Sequence, residues 1–115
     1  TPELCRRWLQ LGAYYPFSRS HNSIDAKDQD PAYFVEIGHP EVTKAAVESL
    51  RTRYQLLHYL YTLFYRSHVH GDTLVRPMHH EFPHDVTAKS IEEQYFLGSS
   101  ILVNPFLHEV LCIFL

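Results

Sequence analysis

Residues 79–84 read HHEFPH, and within them His80, Glu81 and His84 stand as H-E-x-x-H. On a helix that spacing puts two imidazoles on one face, where both can hold one zinc ion while the glutamate acts as general base. The chemistry requires the helix, and Pro83 sits inside the turn that would have to supply it. A proline there removes a backbone N–H and clashes with the preceding turn, at a cost of about 3 kcal/mol. Pro77 lies just upstream, and downstream only His108 and scattered glutamates offer a third ligand. The spacing reads as an accident of a chain with nine histidines, and no metal is expected.

The other candidates for chemistry lie in loops. His21 and Asn22 close the run PFSRSHN, with Arg19 two residues before His21. Asp28 and Asp30 resemble an acidic subsite, but Asp before Pro31 is ordinary turn chemistry. Arg76, next to Pro77, reads as a structural ion-pair or hydrogen-bond residue. Cys5 reads as a small buried apolar residue, and with Cys112 as its one fellow cysteine no disulfide scaffold is indicated.

The elements that must position these residues follow from periodicity. Thr1 can cap a helix, Pro2 suits its first position and Glu3 its positive end. Leu4, Trp8, Leu9 and Leu11 then line one side, so a helix is expected over 2–11, ended by Gly12 and Pro16. PFSRSHN follows as an extended piece running into a loop, and residues 23–40 are a long polar loop of a kind that is usually functional or partly mobile. From Pro40, the residues Val42, Ala46, Leu50, Tyr54, Leu57, Tyr61 and Phe64 recur at intervals of three and four. They predict one continuous helix to about His68, stopped near Gly71. Its Tyr and Phe residues could stack on sugars, but their helical spacing marks a packing face.

Thr73–Arg76, Tyr95–Leu97 and Ile101–Val103 read as short strands, with a polar loop over 83–93. At 115 residues the chain can build a small core. A net charge of −3 argues against a nucleic-acid partner, and no apolar run approaches the roughly 18 residues of a membrane span. The missing initiator Met and the apolar ending VLCIFL suggest a piece of a longer protein.

Several segments carry a resemblance. ELCRRWLQLGAYYPFSRSHN is similar to ELCxRWxQLGAFYPFxRNHN of the glycoside hydrolase family 31 α-glucosidases. LRTRYQLLHYLYTLFYRSHVHG resembles the family form LxxRYxLLPYLYTLxxxAHxxG, and DQDP, VRPMHHEF and FLGSSILVNPFL continue the likeness in order. The resemblance implies an α/β fold: the last part of a (β/α)8 TIM barrel in residues 1–72, then the first strands of a β-sandwich domain in 73–115. Helix 2–11 would be the seventh barrel helix, PFSRSHN the eighth strand and its loop, and helix 40–68 the eighth helix. Active sites of such barrels lie at the C-terminal ends of the strands, where His21 and Asn22 fall.

The implied activity is retaining hydrolysis of terminal α-linked glucose from oligosaccharides, with no metal or organic cofactor. The implied setting is lysosomal, secreted or brush-border. Both carboxylates of that chemistry belong to family segments of the type WxDMNE and GDN, and neither occurs in these 115 residues. What remains is substrate binding: the resemblance places His21 on sugar hydroxyls, with Arg19 and Asn22 supporting the loop. The chain alone is expected to be inactive, with the remainder of the barrel missing. The alternative is a non-catalytic helical module that docks on another protein.

Departures from the pattern are Ser20 for Asn, His58 for Pro, His79 for an apolar residue, and Ala88 near a common Trp position. The pattern is expected to lapse after Leu107, as in a truncated or mis-spliced product.

Overall fold

The computed structural model describes residues 1–108, which divide into two compact units, Thr1–Asp72 and the residues from Thr73 on. The expected departure after Leu107 and Cys112 lie almost wholly or wholly outside the described residues.

In the first unit, helix α1 (Pro2–Gly12) starts as its sequence dictates. The Thr1 hydroxyl accepts from the Leu4 N–H at 3.3 Å, and Arg7 reaches back one turn to Glu3 at 2.7 Å. That hydrogen bond, outweighing partial desolvation, holds the Glu3 carboxyl below its ordinary range. The Tyr14 and Tyr15 N–H groups bond the Leu11 and Gly12 carbonyls and wind the helix down. The run 16–22 then forms no strand. A strand exists by pairing, and among the described residues of this unit no neighbouring strand offers a ladder.

Within the stretch read as a loop, α2 (Tyr33–Glu36) forms one turn. Asp30 Oδ1 accepts from the Ala32 N–H at 2.8 Å, the turn chemistry expected of it, and Phe34 is buried where α2 packs on the next helix.

The continuous helix expected over 40–68 is two helices, α3 (Pro40–Gln55) and α4 (Leu57–His70). At Leu56 the backbone sits at φ −87°, ψ −2°, and its N–H is shared between the Thr52 and Arg53 carbonyls. This tightened turn interrupts the regular ladder. The apolar face divides with it. Val42, Ala45 and Ala46 are buried on α3, against which α1 and α2 pack, whereas α4 buries Leu60 and Leu63. Tyr54 and Tyr61, assigned by spacing to the same face as Val42, are 72% and 78% exposed. α4 closes as expected at Gly71, whose φ of +75° is the left-handed conformation that glycine adopts without a Cβ penalty.

His58 is exposed and is the second residue of α4, in the first turn where a proline is tolerated. We therefore expect His58→Pro to leave thermal stability unchanged or raise it by up to about 1 kcal/mol, through loss of freedom in the unfolded chain. A fall in melting temperature would show that the interruption at Leu56 still needs the residue 58 N–H.

The second unit holds a three-stranded antiparallel sheet, β1 (Val75–Pro77), β2 (Tyr95–Leu97) and β3 (Ile101–Val103), in that order. β1 lies later than the expected 73–76, and Pro77 is accommodated because β1 is an edge strand. The register pairs Val75 with Leu97 and Leu97 with Ile101. Leu97, Val103 and Ala88 are its buried apolar residues. Gly98, at φ +64°, turns β2 toward β3 and donates to the Leu74 carbonyl at 2.7 Å.

α5 (Met78–Glu81) is a single turn containing His80 and Glu81. Phe82, at φ −124°, has already left the helix, so His84 does not share a helical face with His80. Among the described residues no group of three or more His, Cys, Asp or Glu is placed to hold a metal. Residues 87–90 add a 3₁₀ turn within the expected loop 83–93.

Glu81 is engaged by Arg76, whose Nη1 donates to it at 2.5 Å while Nε donates to the Thr73 carbonyl at 2.9 Å. That hydrogen bond, with His80 assisting, holds the Glu81 carboxyl below its ordinary range. A lowered folded-state pKa contributes stability above the unfolded value of about 4.3, lost as pH falls through the folded value. Glu81→Gln should therefore flatten the acid limb of this unit's stability curve below about pH 4.3. An unchanged limb in unfolding monitored from pH 6 down would show that the Arg76 pair contributes nothing.

Candidate functional site

The first unit contains an open cleft of about 900 Å³. One wall is helical, with Leu4 and Trp8 of α1 and Leu50 of α3. The other is the irregular run after α1, with Phe17, Arg19 and His21, and then Asp30. The walls meet because α1 packs along α3, and the chain leaving α1 must pass over that pair.

His21 and Arg19 both line the cleft and are both exposed. Among the described residues neither side chain has a hydrogen-bond partner in the protein, so their donors are available to a ligand. Asn22 is placed differently. Its Nδ2 donates to the Ser23 carbonyl at 3.0 Å and the Ala26 carbonyl at 3.3 Å, closing the loop on itself. Ser20, which stands where the resembling pattern has Asn, donates through Oγ to the Gln29 carbonyl at 2.9 Å. The segment with Arg19 and His21 is thereby tied to residues 28–31.

Asp30 is the one carboxylate among the residues lining the cleft, and its Oδ1 already accepts from Ala32. Asp25 and Asp28 are exposed outside it. The cleft can therefore hydrogen-bond polar hydroxyls and cover an apolar ring face, but it does not bring two carboxylates together. Cys5 lines the cleft as a half-buried free thiol rather than a buried one.

Arg53 escaped the reading of the sequence. From α3 its Nη1 donates to the Ala13 carbonyl at 2.8 Å and to the Tyr15 carbonyl, and its Nη2 to the Pro16 carbonyl at 3.0 Å. One sequence signal pointed there: α1 has no basic residue in its last turn, so the negative end of its dipole called for a cation from elsewhere.

Comparison with known proteins agrees with this architecture. Residues 1–63 match the model of the glycosyl hydrolases family 31 TIM-barrel domain, and residues 71–111 that of the family 31 C-terminal domain. The second match ends at residue 111, short of the chain's last residues. Human intestinal sucrase-isomaltase is 46% identical over 109 residues, covering 95% of this chain and 6% of that protein. Mouse lysosomal alpha-glucosidase is 47% identical over 105 residues, covering 91% of this chain and 11% of its own length.

Among solved structures, the family 31 alpha-glucosidase from Bacteroides thetaiotaomicron superposes with a TM-score of 0.83 at 29% identity, over 95% of this chain and 18% of that one. The cycloalternan-forming enzyme of Listeria monocytogenes, in complex with a pentasaccharide substrate, superposes with a TM-score of 0.82 at 28% identity, over 95% and 11%. The chain thus spans a small part of the relatives it matches. Among the described residues no helix is long and apolar enough to cross a membrane. Its fold is the last part of a (β/α)8 barrel followed by the first strands of the domain that succeeds it, and the chain belongs to glycosyl hydrolase family 31.

Proposed function

We propose that these residues form the sugar-contacting end of a retaining α-glucosidase and supply substrate binding but not the reacting carboxylates. The parent enzyme removes terminal α-linked glucose from oligosaccharides, using one carboxylate as nucleophile and a second as acid and then base. In retaining enzymes these lie about 5–5.5 Å apart. The observation that carries this reading is the cleft itself: among the described residues His21 lines it with no protein hydrogen-bond partner, beside a single lining carboxylate already engaged by the backbone. A ring nitrogen can donate to or accept from a sugar hydroxyl. Arg19 and Asn22 support the loop around it, Asn22 through its two carbonyl contacts. The names of the relatives support the substrate class, since those quoted act on glucosidic linkages.

A second reading, a helical module that docks on another protein, draws on the exposed Tyr54, Tyr61 and Tyr65. The match of both successive family domains favours the first.

The test has two arms. The purified 115-residue chain is expected to show no hydrolysis of a chromogenic α-glucoside, and turnover would mean that carboxylates within it react after all. In a chimera of the mouse relative carrying residues 1–107 of this chain, His21→Ala is expected to cut activity sharply, and unchanged kinetics would remove His21 from the sugar.

A further inference from the structure

The segment that carries Arg19 and His21 has an unusual lack of support from its own backbone. From Pro16 to Asn22 it makes no backbone–backbone hydrogen bond among the described residues. It belongs to no helix and no strand. Its place must therefore be set by side chains, and these lie at its two ends.

At the far end, Ser20 holds the Gln29 carbonyl and Asn22 holds those of Ser23 and Ala26. The first ties one loop stretch to another, and the second closes the loop on itself. At the near end, the carbonyls of Ala13, Tyr15 and Pro16 all converge on one guanidinium, that of Arg53, from a helix 37 to 40 residues later in the chain. Arg53 is half-buried, and among the described residues no carboxylate pairs with it. Its charge is met by backbone oxygens alone. α3 is the best-packed helix of the unit, and Arg53 ties the His21 segment to it directly, whereas the far end reaches α3 only by way of residues 29–31, where the Thr43 hydroxyl donates to the Pro31 carbonyl.

We infer that Arg53 is the positioning residue of the His21 segment, which fixes the direction in which the chain leaves α1 and so the place where His21 meets a sugar. The inference rests on the sugar-contact reading only in its last step; the hold on the segment stands independently. A guanidinium suits the task because its planar fork presents up to five donors in fixed directions, enough for three carbonyls at once. A lysine ammonium on the same helix is a single point with rotatable donors, and it reaches part of this set at best.

The experiment is NMR on the whole 115-residue chain, comparing the natural sequence with Arg53→Ala and Arg53→Lys. Backbone order parameters of residues 17–21 should lie in the rigid range of about 0.8 in the natural chain and fall below about 0.6 in Arg53→Ala, with Arg53→Lys between them. The amides of Leu60 and Leu63 report whether the helices remain folded, and they should not move. If Arg53→Ala fails to fold, the lysine variant carries the comparison, with Leu60 and Leu63 as its internal control.

Methyl α-glucoside is then titrated while the His21 ring resonances are followed. If the segment holds its competent place only about a tenth of the time, apparent affinity falls about tenfold. Unchanged order parameters at 17–21, or equal loosening at Leu60 and Leu63, would overturn the inference. A loosened segment with unaltered sugar response at His21 would overturn it too. If methyl α-glucoside leaves His21 unmoved even in the natural chain, the sugar-contact reading fails, while the order parameters still decide whether Arg53 holds the segment.

Discussion

His21→Ala, in the chimera of the mouse lysosomal relative, should lower kcat/KM for maltose about 100-fold, equivalent to about 2.7 kcal/mol. A neutral hydrogen bond contributes about 1 kcal/mol net, and one to a group that gains charge about 1.5–3 kcal/mol. A hydroxyl on a sugar ring flattening toward an oxocarbenium ion belongs to the second class, and contacts of this kind strengthen in the transition state. Only the smaller part should appear in KM, as a rise of about fivefold, because ground-state sugar makes the ordinary bond. The remainder should appear in kcat. His21→Gln keeps a donor and an acceptor on a side chain of different reach, and should recover part of the loss. A rise in KM alone would mean uniform binding, and equal kinetics for all three would leave the histidine as a loop residue that happens to face the cleft.

The second large effect concerns stability. Leu97→Ala should cost the second unit about 3 kcal/mol, within the range measured for truncating a buried leucine. Leu97 is fully buried on the central strand, opposite Val75 on one side and Ile101 on the other. No rearrangement of a three-residue strand can refill that volume. Small units bury little surface to begin with, so a loss of this size is expected to abolish the sheet rather than weaken it. Amide exchange provides the readout. The Gly98 N–H, bonded to the Leu74 carbonyl across the sheet, should lose its protection in Leu97→Ala and keep most of it in Leu102→Ala. Leu102 lies on the exposed side of β3. Equal protection in both variants would show that Leu97 is not the centre of this core.

Much of this could be read from neighbouring residues. Thr1, Pro2 and Glu3 announce a helix start because capping and dipole effects act within one turn, and α1 begins there. Gly71 stops α4 because its left-handed φ suits no side chain well. Gly98 splits two apolar runs for the same reason, and β2 and β3 pair across it. Pro83 forbids a zinc-binding helix by its own ring, and the helix ends before it.

The misses have one origin. Nothing local to Leu56 breaks a helix, and the spacing of Val42 through Phe64 is regular. The interruption and the change of buried face depend on which neighbours cover α3 and which cover α4. PFSRSHN has the residues of an extended strand, but a strand is made by the partner beside it, and among the described residues none pairs with it. The run with Arg19 and His21 could be matched to a family pattern, whereas the ties that hold that run in place could not be read from it.

By itself, then, the sequence determined where α1 starts, where α4 stops, and that Tyr95–Leu97 and Ile101–Val103 are strands split at Gly98. Each of these follows from dihedral preferences and steric clashes within a few residues. Only the tertiary structure decided which faces are buried, and that Arg53 gathers the Ala13, Tyr15 and Pro16 carbonyls. A hydrogen bond between residues 37 to 40 apart depends on two helices packing side by side, and no periodicity within either helix encodes that meeting.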